Sequence, residues 1–169
     1  MAIIGEVISG QKESQILNGS ALEFGVDSWP VLPLGLQPPE INNLNGQIVY
    51  ICAFQSWCPG CHRHAFPCLR KLADHFRGDD RVLLMAIQTA YEGFSANGPK
   101  QARETAEKYF LDIPVGHSGS PERPSVFRKN YEIDETPWAT IIDSEGIIRV
   151  NQRLPKVEQS IELIEQLLS

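Results

Sequence analysis

The 169-residue sequence lacks several features that would assign it to a class at once. No apolar run reaches about 18 residues, which argues against a transmembrane helix. Residues 1–10 contain no basic side chain and no long apolar stretch, so they do not resemble a signal peptide. Positive charge is also scarce, because 15 Lys and Arg face 21 Asp and Glu and leave a formal charge of −6. This balance argues against a broad nucleic-acid surface.

Cysteine is too sparse for a scaffold held together by disulfides, with four residues in 169. All four nevertheless lie between positions 52 and 68, as Cys52, Cys58, Cys61 and Cys68. A chain of this length buries roughly 70% of its extended-chain surface and needs no such cluster for stability. The clustering therefore indicates chemistry or metal binding, while Cys52 and Cys68 taken alone are typical of small buried side chains.

The hydrophobic pattern predicts a regular order of elements from residue 47 onward. Two continuous apolar runs, 48–54 and 81–88, indicate strands covered on both faces, as in a parallel sheet. A helix predicted over 58–77 connects them, and such a crossover is expected to be right-handed. Further elements are then predicted as a helix at 99–110, a strand at 113–115, a helix at 124–131, a hairpin of 137–142 and 147–150, and a helix at 156–168.

This order predicts an α/β fold, a three-layer α/β/α sandwich with a central mixed sheet. The length predicts one domain over residues 1–169. Residues 1–45 show no sustained period, so we expect an N-terminal extension there with edge strands or a hairpin.

A Cys-x-x-Cys motif, Trp57-Cys58-Pro59-Gly60-Cys61, lies where the first predicted strand passes into the helix. At a helix start, unpaired backbone N–H groups and the positive end of the helix dipole favour a thiolate over a thiol. The spacing places the second sulfur one turn along, close enough for a disulfide after a small adjustment. We therefore expect Cys58 to attack and Cys61, which lies deeper, to resolve the mixed disulfide.

Residues 54–61 resemble the active-site segment of thioredoxin-fold proteins, most closely the TlpA-like thiol–disulfide oxidoreductases. The resemblance covers about residues 44–168 and continues at Thr136-Pro137, before the predicted hairpin. It implies a cis bond at Pro137, in a loop that faces the cysteines, and a Thr136 backbone that offers an extended substrate an added strand. It also implies that residues 91–123 are the helix and strand that TlpA-like proteins insert into the minimal fold.

The function implied by the resemblance is an enzyme that exchanges thiols and disulfides through Cys58 and Cys61. Its partners would be protein thiols or disulfides, or small-molecule disulfides, and a redox partner that recycles it. Trp57, Pro59 and Gly60 are expected to support the pair. No dissolved cofactor or metal is implied, and no nucleic acid or membrane-spanning segment. The sequence as given predicts a cytoplasmic protein, or an exported one if a leader has been removed.

Three positions depart from the family pattern. Pro67 falls six residues after Cys61 instead of five, although it still removes a hydrogen bond to the Arg63 carbonyl and bends the helix. Cys52 stands where thioredoxins have a buried acid. His64 stands where TlpA-like relatives often have glutamate, and on a helix it shares a face with Cys61. We interpret His64 as a proton acceptor or donor for Cys61, against the alternative of a solvated residue without function.

Two interpretations of the motif involve a metal. Enough ligand types for zinc are present in Cys58, Cys61, Cys68, His62, His64 and His75, but a metal knuckle would not follow a buried strand and precede a long helix. The order Cys-x-x-Cys-His also fits haem attachment, for which Met85, the only internal methionine, lies in a predicted buried strand. We expect His62 instead to face solvent.

Two further alternatives keep the thioredoxin fold. A peroxiredoxin-like thiol peroxidase, with antioxidant activity, would carry proline and threonine before its reactive cysteine. With Cys58 in that role, Ile51 and Gln55 occupy those two positions, so the hydroxyl that orients peroxide is missing. A non-catalytic binding module would use the fold as an interaction surface, which the intact Cys-x-x-Cys at a helix start argues against.

Overall fold

The computed structural model describes residues 14–44 and 46–169, and within them six strands form one mixed sheet. In chain order the strands are β1 (Ser28–Val31), β2 (Ile48–Phe54), β3 (Val82–Thr89), β4 (Val115–Ser118), β5 (Trp138–Ile142) and β6 (Ile148–Arg153). Their order across the sheet is β1-β4-β3-β2-β5-β6. The neighbours β2, β3 and β4 are parallel, whereas β1, β5 and β6 pair antiparallel with their neighbours.

Helices cover both faces of this sheet. The α-helices of the described residues are α1 (Phe66–His75), α2 (Pro99–Lys108), α3 (Val126–Asn130) and α4 (Val157–Leu168), with short 3-10 turns at Ile41–Asn43 and Phe94–Ala96. Apolar side chains of α1, α2 and α4 pack on one face, and those of α3 and the N-terminal segment pack on the other. The prediction of a three-layer α/β/α sandwich is confirmed. None of the described helices is long and apolar enough to cross a membrane.

Strand β2 is buried along its whole length, as its continuous apolar pattern predicts. Successive side chains of a strand point to opposite faces. They therefore divide between the two halves of the core, with Ile48, Tyr50, Cys52 and Phe54 toward α1, and Val49, Ile51 and Ala53 toward α3. Hydrogen-bond ladders with β3 and β5 hold β2 on both sides. The loop after Phe54 therefore starts from a strand that is fixed by packing and by hydrogen bonds.

Of the edge strands or hairpin expected in the N-terminal extension, an edge strand is present, because β1 lies at the edge of the sheet and pairs with β4. No hairpin is seen within residues 14–44, and residues 1–13 lie outside the described part. The strand expected at 113–115 begins later, at Val115. Pro114 has no N–H to donate to a ladder, so only its carbonyl takes part, accepting from the Ala86 amide at 3.0 Å.

The helix predicted over 58–77 is not uniform. A π-helical stretch, Cys61–Ala65, precedes α1 and is called the π segment below. In it the Phe66 amide bonds to the Cys61 carbonyl five residues back, instead of four. Pro67 cannot donate a backbone hydrogen bond, so the wider turn is located where the helix ladder is already interrupted. A wider turn of this kind holds one extra residue, which accounts for the six-residue spacing between Cys61 and Pro67.

Candidate active site

The two cysteines of the motif lie at the start of the helix that follows β2. Cys58 is 6% exposed and Cys61 is fully buried, and neither forms a disulfide. The Cys61 amide donates to the Cys58 sulfur at 3.4 Å and to the Cys58 carbonyl at 3.1 Å. The sulfur of Cys58 is therefore the more accessible of the two and contacts a backbone donor of the first helical turn.

Burial raises the pKa of the Cys61 thiol far above its ordinary value, and its hydrogen bond with Cys58 acts in the same direction. The nearby Gln55 backbone and Thr136 side chain lower the pKa of Cys61 and oppose the rise in part. Cys61 is thus held as a neutral thiol at neutral pH. Any step that uses it as a nucleophile must first remove its proton.

The loop before β5 lies against these cysteines. Its Thr136–Pro137 peptide bond is cis. The Cys58 thiol donates to the Thr136 carbonyl at 3.5 Å. Pro137 Cδ and Cys58 Sγ lie 3.5 and 4.0 Å from the position that a β-carbon on Gly60 would take. The fold therefore brings together the two segments of the sequence that carry the family resemblance, although they lie about eighty residues apart.

Gln55, which is completely buried, connects this loop to residues 91–97. Its side-chain amide donates to Thr136 Oγ1 at 3.4 Å, and its carbonyl oxygen accepts from Asn97 Nδ2 at 3.0 Å and from the Tyr91 amide at 3.4 Å. From the sequence, Gln55 was notable only as a departure from the peroxiredoxin pattern. Its signal was a polar residue directly after a continuous apolar strand.

Ser56, the next residue, is bonded through both its backbone and its side chain. Its amide donates to Asn97 Oδ1 at 2.9 Å, while its hydroxyl bonds to Gln88 Oε1 and accepts from Thr105 at 3.3 Å. Gln88 is fully buried and Thr105 nearly so. Side chains from β3, α2 and the loop between them therefore hold the segment that leads into Cys58.

The same network continues from Gln88 to His117 on β4. The Gln88 amide donates to His117 Nδ1 at 2.8 Å, and His117 Nε2 donates to the Gly119 carbonyl at 2.8 Å. Because a carbonyl only accepts, Nε2 carries the proton and Nδ1 is the acceptor. Burial lowers the pKa of His117, in agreement with a neutral ring that is bonded at both nitrogens.

The expectation that His62 faces solvent is wrong. Its ring is half-buried, with Nε2 donating to the Ser56 carbonyl at 2.6 Å and Nδ1 bonded to the Tyr109 hydroxyl at 2.7 Å. The ring also meets Phe66 edge-on, with centroids 5.2 Å apart, and Phe66 stacks on Tyr109 at 4.8 Å. The end of α2 brings Tyr109 over the π segment, a contact between distant parts of the sequence.

His64 and Trp57 both lie at the surface around the pair. His64 is exposed and lines a depression together with Thr136 and Pro137. Trp57 is 40% exposed, and its indole N–H donates to the Glu92 carbonyl at 3.2 Å. A β-carbon on Gly93, whose φ is +58°, would lie 3.0 Å from the Trp57 ring, so the loop closes tightly against the indole. Trp57 thus packs on this loop.

The remaining cysteines are buried in the core on the α1 side. The Tyr50 hydroxyl and the Cys68 sulfur are 3.8 Å apart, and burial raises the pKa of both groups and of Cys52. These surroundings keep Cys52 and Cys68 as neutral thiols. Within residues 14–44 and 46–169 no three His, Cys, Asp or Glu side chains are placed to hold a metal ion.

Comparison with known proteins gives the fold its class. No protein-family model matches the chain, and no curated protein matches it. A solved structure of a thioredoxin-like superfamily protein is 25% identical, with a TM-score of 0.76 over 89% of this chain and 96% of that one. A thiol-disulfide isomerase from Corynebacterium glutamicum is 22% identical, with a TM-score of 0.74 over 88% and 96% of the two chains.

A third solved structure, a thiol-disulfide oxidoreductase from Bacteroides fragilis, is 15% identical, with a TM-score of 0.65 over 87% of this chain and 98% of that one. These similarities cover whole domains and not isolated segments. The chain is a thioredoxin-fold protein, and the fold is one that thiol–disulfide isomerases and oxidoreductases share.

Proposed function

We propose that the chain is a thiol–disulfide oxidoreductase of the TlpA-like type, with Cys58 and Cys61 as its redox pair. The observation that carries the proposal is the contact of the Cys58 sulfur with both the Cys61 amide and the Thr136 carbonyl, at 3.4 and 3.5 Å. A nucleophilic thiol, a second thiol one turn deeper and an exposed edge of backbone are the groups that disulfide exchange requires.

In the reducing direction, Cys58 as thiolate attacks one sulfur of a substrate disulfide. A Cys58–substrate disulfide forms, and the other substrate sulfur leaves as a thiolate, which takes up a proton. Cys61 then loses its proton and attacks Cys58 Sγ, which forms the Cys58–Cys61 disulfide and releases the second substrate thiol. Two electrons pass to the substrate, and a partner dithiol restores the pair by the same steps in reverse.

The resolving step needs a proton acceptor, because the thiol of Cys61 is neutral at its buried position. The Gln55 backbone and the Thr136 side chain lower the pKa of Cys61 and so favour the thiolate that forms in this step. His64 lines the same surface depression as Thr136 and Pro137. We assign the acceptor role to His64, directly or through water.

The residues around the pair support it in separate ways. Trp57 packs against residues 92–93, which fixes the position of its ring next to Cys58. Pro59 is suited to the first turn of a helix, where its missing N–H would have no partner. Gly60 lies beside Pro137 in the first turn of the helix. Thr136 and Pro137 present the backbone edge to which an extended protein substrate would bind.

A trapping experiment tests this assignment. A Cys61→Ser variant should accumulate covalent adducts through Cys58 when it is offered a protein disulfide, because attack proceeds and resolution does not. A Cys58→Ser variant should trap almost none, and Cys68→Ser should behave like the parent. Mass spectrometry of the adducts is the measurement, and equal trapping by the Cys58 and Cys61 variants would overturn the assigned roles.

The peroxidase alternative is tested alongside by using hydrogen peroxide as the oxidant of the reduced pair. The amide of Gln55, in place of a peroxide-orienting threonine, is already bonded to Thr136 and Asn97. We therefore expect oxidation by disulfides to be faster than oxidation by peroxide at equal concentration.

A further inference from the structure

Two adjoining depressions form one groove beside the proposed redox pair. The first has a volume of about 300 Å³ and is lined by His64, the Thr136–Pro137 loop and Leu154. The second has a volume of about 340 Å³ and extends along α1 to the first turn of α4. Because His64 and Leu154 line both depressions, the two are treated as one surface, which we call the basic groove.

The charge on this surface is opposite to that of the whole chain. Three cationic side chains, Arg63, Lys71 and Lys156, line the groove, and none takes part in an ion pair among the residues that the structure describes. One unpaired carboxylate, Glu158, faces them, and the other two charged residues, Glu135 and Arg153, pair with each other. The groove is therefore net positive on a chain with a formal charge of −6.

The cations begin close to the reacting thiol and extend away from it. Arg63 follows Cys58 by five residues and Lys71 follows it by thirteen. At about 1.5 Å per residue, these positions lie about 8 and 20 Å along the helix from Cys58. An extended peptide covers about 3.3 Å per residue, so the same span corresponds to about two to six residues of substrate.

We propose that the basic groove binds an acidic stretch of a substrate protein, about two to six residues from the cysteine that reacts with Cys58. The inference rests on the proposed function and adds to it the class of substrate. A peptide that lies extended along Thr136 reaches the groove directly, since Thr136 and Pro137 line its first part. Carboxylates there would be attracted and ammonium groups repelled. The same surface would therefore favour acidic substrates and disfavour basic ones.

The test uses three peptides that differ only in charge. Each carries one cysteine as a mixed disulfide with a small neutral thiol, and at positions two to six from it the peptides have glutamate, glutamine or lysine. The second-order rate constant for reaction with the reduced protein is measured at low salt. We expect the glutamate peptide to react about tenfold faster than the lysine peptide, with glutamine between them. The difference should shrink in about 0.5 M salt, where the screening length is only a few ångströms.

Charge reversal identifies the surface. The double variant Lys71→Glu with Lys156→Glu should slow the glutamate peptide and speed the lysine peptide, with little effect on the glutamine peptide. The matched control, Arg103→Glu with Lys129→Glu, changes the net charge equally on exposed positions of α2 and α3 outside the groove. It should leave the order of the three peptides as in the parent. Equal effects of the two double variants would mean that overall charge, and not the groove, sets the rates.

Binding is measured separately from exchange. Fluorescence anisotropy with peptides that carry serine in place of cysteine should show tighter binding of the glutamate peptide, lost in the Lys71→Glu and Lys156→Glu variant. Charge-selective binding without any thiol–disulfide exchange would contradict the proposed function but support the groove as a binding site for acidic peptides. Exchange at equal rates for all three peptides would contradict the groove alone. The double variant is also tested with oxidised glutathione. If its reaction with oxidised glutathione is slowed as much as its reaction with the glutamate peptide, the groove binds the carboxylates of small-molecule disulfides and the acidic-protein proposal is wrong.

Discussion

His62 connects the segment that carries Cys58 to the end of α2, and its two hydrogen bonds can be removed without removing its ring. A His62→Phe variant keeps the contact with Phe66 and leaves the Ser56 carbonyl and the Tyr109 hydroxyl without their partner. We expect the free energy of unfolding to fall by about 1–3 kcal/mol. Urea denaturation followed by circular dichroism measures this change.

The control for His62 is Tyr109→Phe, which removes only one of the two bonds and keeps the stacking with Phe66. Its cost should be smaller, about 0.5–1.5 kcal/mol. A His62→Phe protein as stable as the parent would mean that water replaces both bonds and that His62 does not hold this segment.

His64 is the residue to which we assign proton transfer with Cys61. A His64→Gln variant keeps a polar side chain that cannot carry a proton to or from Cys61, so the pH profile of mixed-disulfide resolution should change. The rate at pH 7 should fall by about tenfold or more. Stopped-flow kinetics of the resolving step is the measurement, and His75→Gln, an exposed histidine at the end of α1, is the control. An unchanged profile would leave His64 as a surface residue, with water or another group moving the proton.

What the sequence could predict at this scale depended on local spacing. Cys58, Cys61 and Pro137 belong to motifs of two to five neighbouring residues, and each motif is visible without the fold. Gln55 and His62 act through Asn97 and Tyr109, which lie more than forty residues away. No periodicity connects such partners, so their hydrogen bonds could not be predicted.

At the scale of elements, the π segment explains the unusual position of Pro67, and it can be removed. Deleting Arg63 takes one exposed residue out of the wide turn, which leaves Pro67 five residues after Cys61. Because a π segment contains one residue more than a regular helix needs, α1 should keep its register on the sheet. We expect a folded protein with a melting temperature close to that of the parent, measured by calorimetry.

Deleting Arg70 is the matched control for the deletion of Arg63, because both residues are arginines on the same helical stretch. In regular helix the deletion rotates all later residues by about 100° and moves the buried Leu72 off the core face. This variant should be strongly destabilised. Equal loss of stability in the two deletions would mean that the π segment is not the site of the extra residue.

The elements with strong patterns were predicted closely, and the weak ones were not. Apolar periodicity and turn residues were enough to predict β2, β3, α2, α4 and the β5–β6 hairpin. Strand β1 has only four residues and pairs with β4, far along the chain, so the sequence predicted edge strands within residues 1–45 but not their position. The π segment arises from one extra residue between Cys61 and Pro67. A shift of one residue is too small to be detected in the apolar pattern of a helix.

For the whole molecule, the buried polar network has a role beyond local bonding. It extends from Ser56, next to the redox motif, through Gln88 on β3 to His117 on β4. A buried network of hydrogen bonds is stabilising only when every group in it has a partner. Removal of one group leaves others unpaired. The protonation of one ring therefore bears on the stability of the entire fold.

Acid should destabilise the fold through His117. Burial lowers the pKa of His117 in the folded protein, whereas a histidine of the unfolded chain titrates near about 6.5. The contribution of His117 is therefore fully present above about pH 6.5. As the pH falls below that value, the unfolded chain binds a proton first, and the free energy of unfolding declines until the folded ring is protonated too. One group gives a slope of at most about 1.4 kcal/mol per pH unit. Urea denaturation of the parent and of His117→Asn between pH 7.5 and 5 should show this part of the slope only in the parent. Identical slopes would mean that His117 takes up a proton as readily in the folded protein as in the unfolded chain.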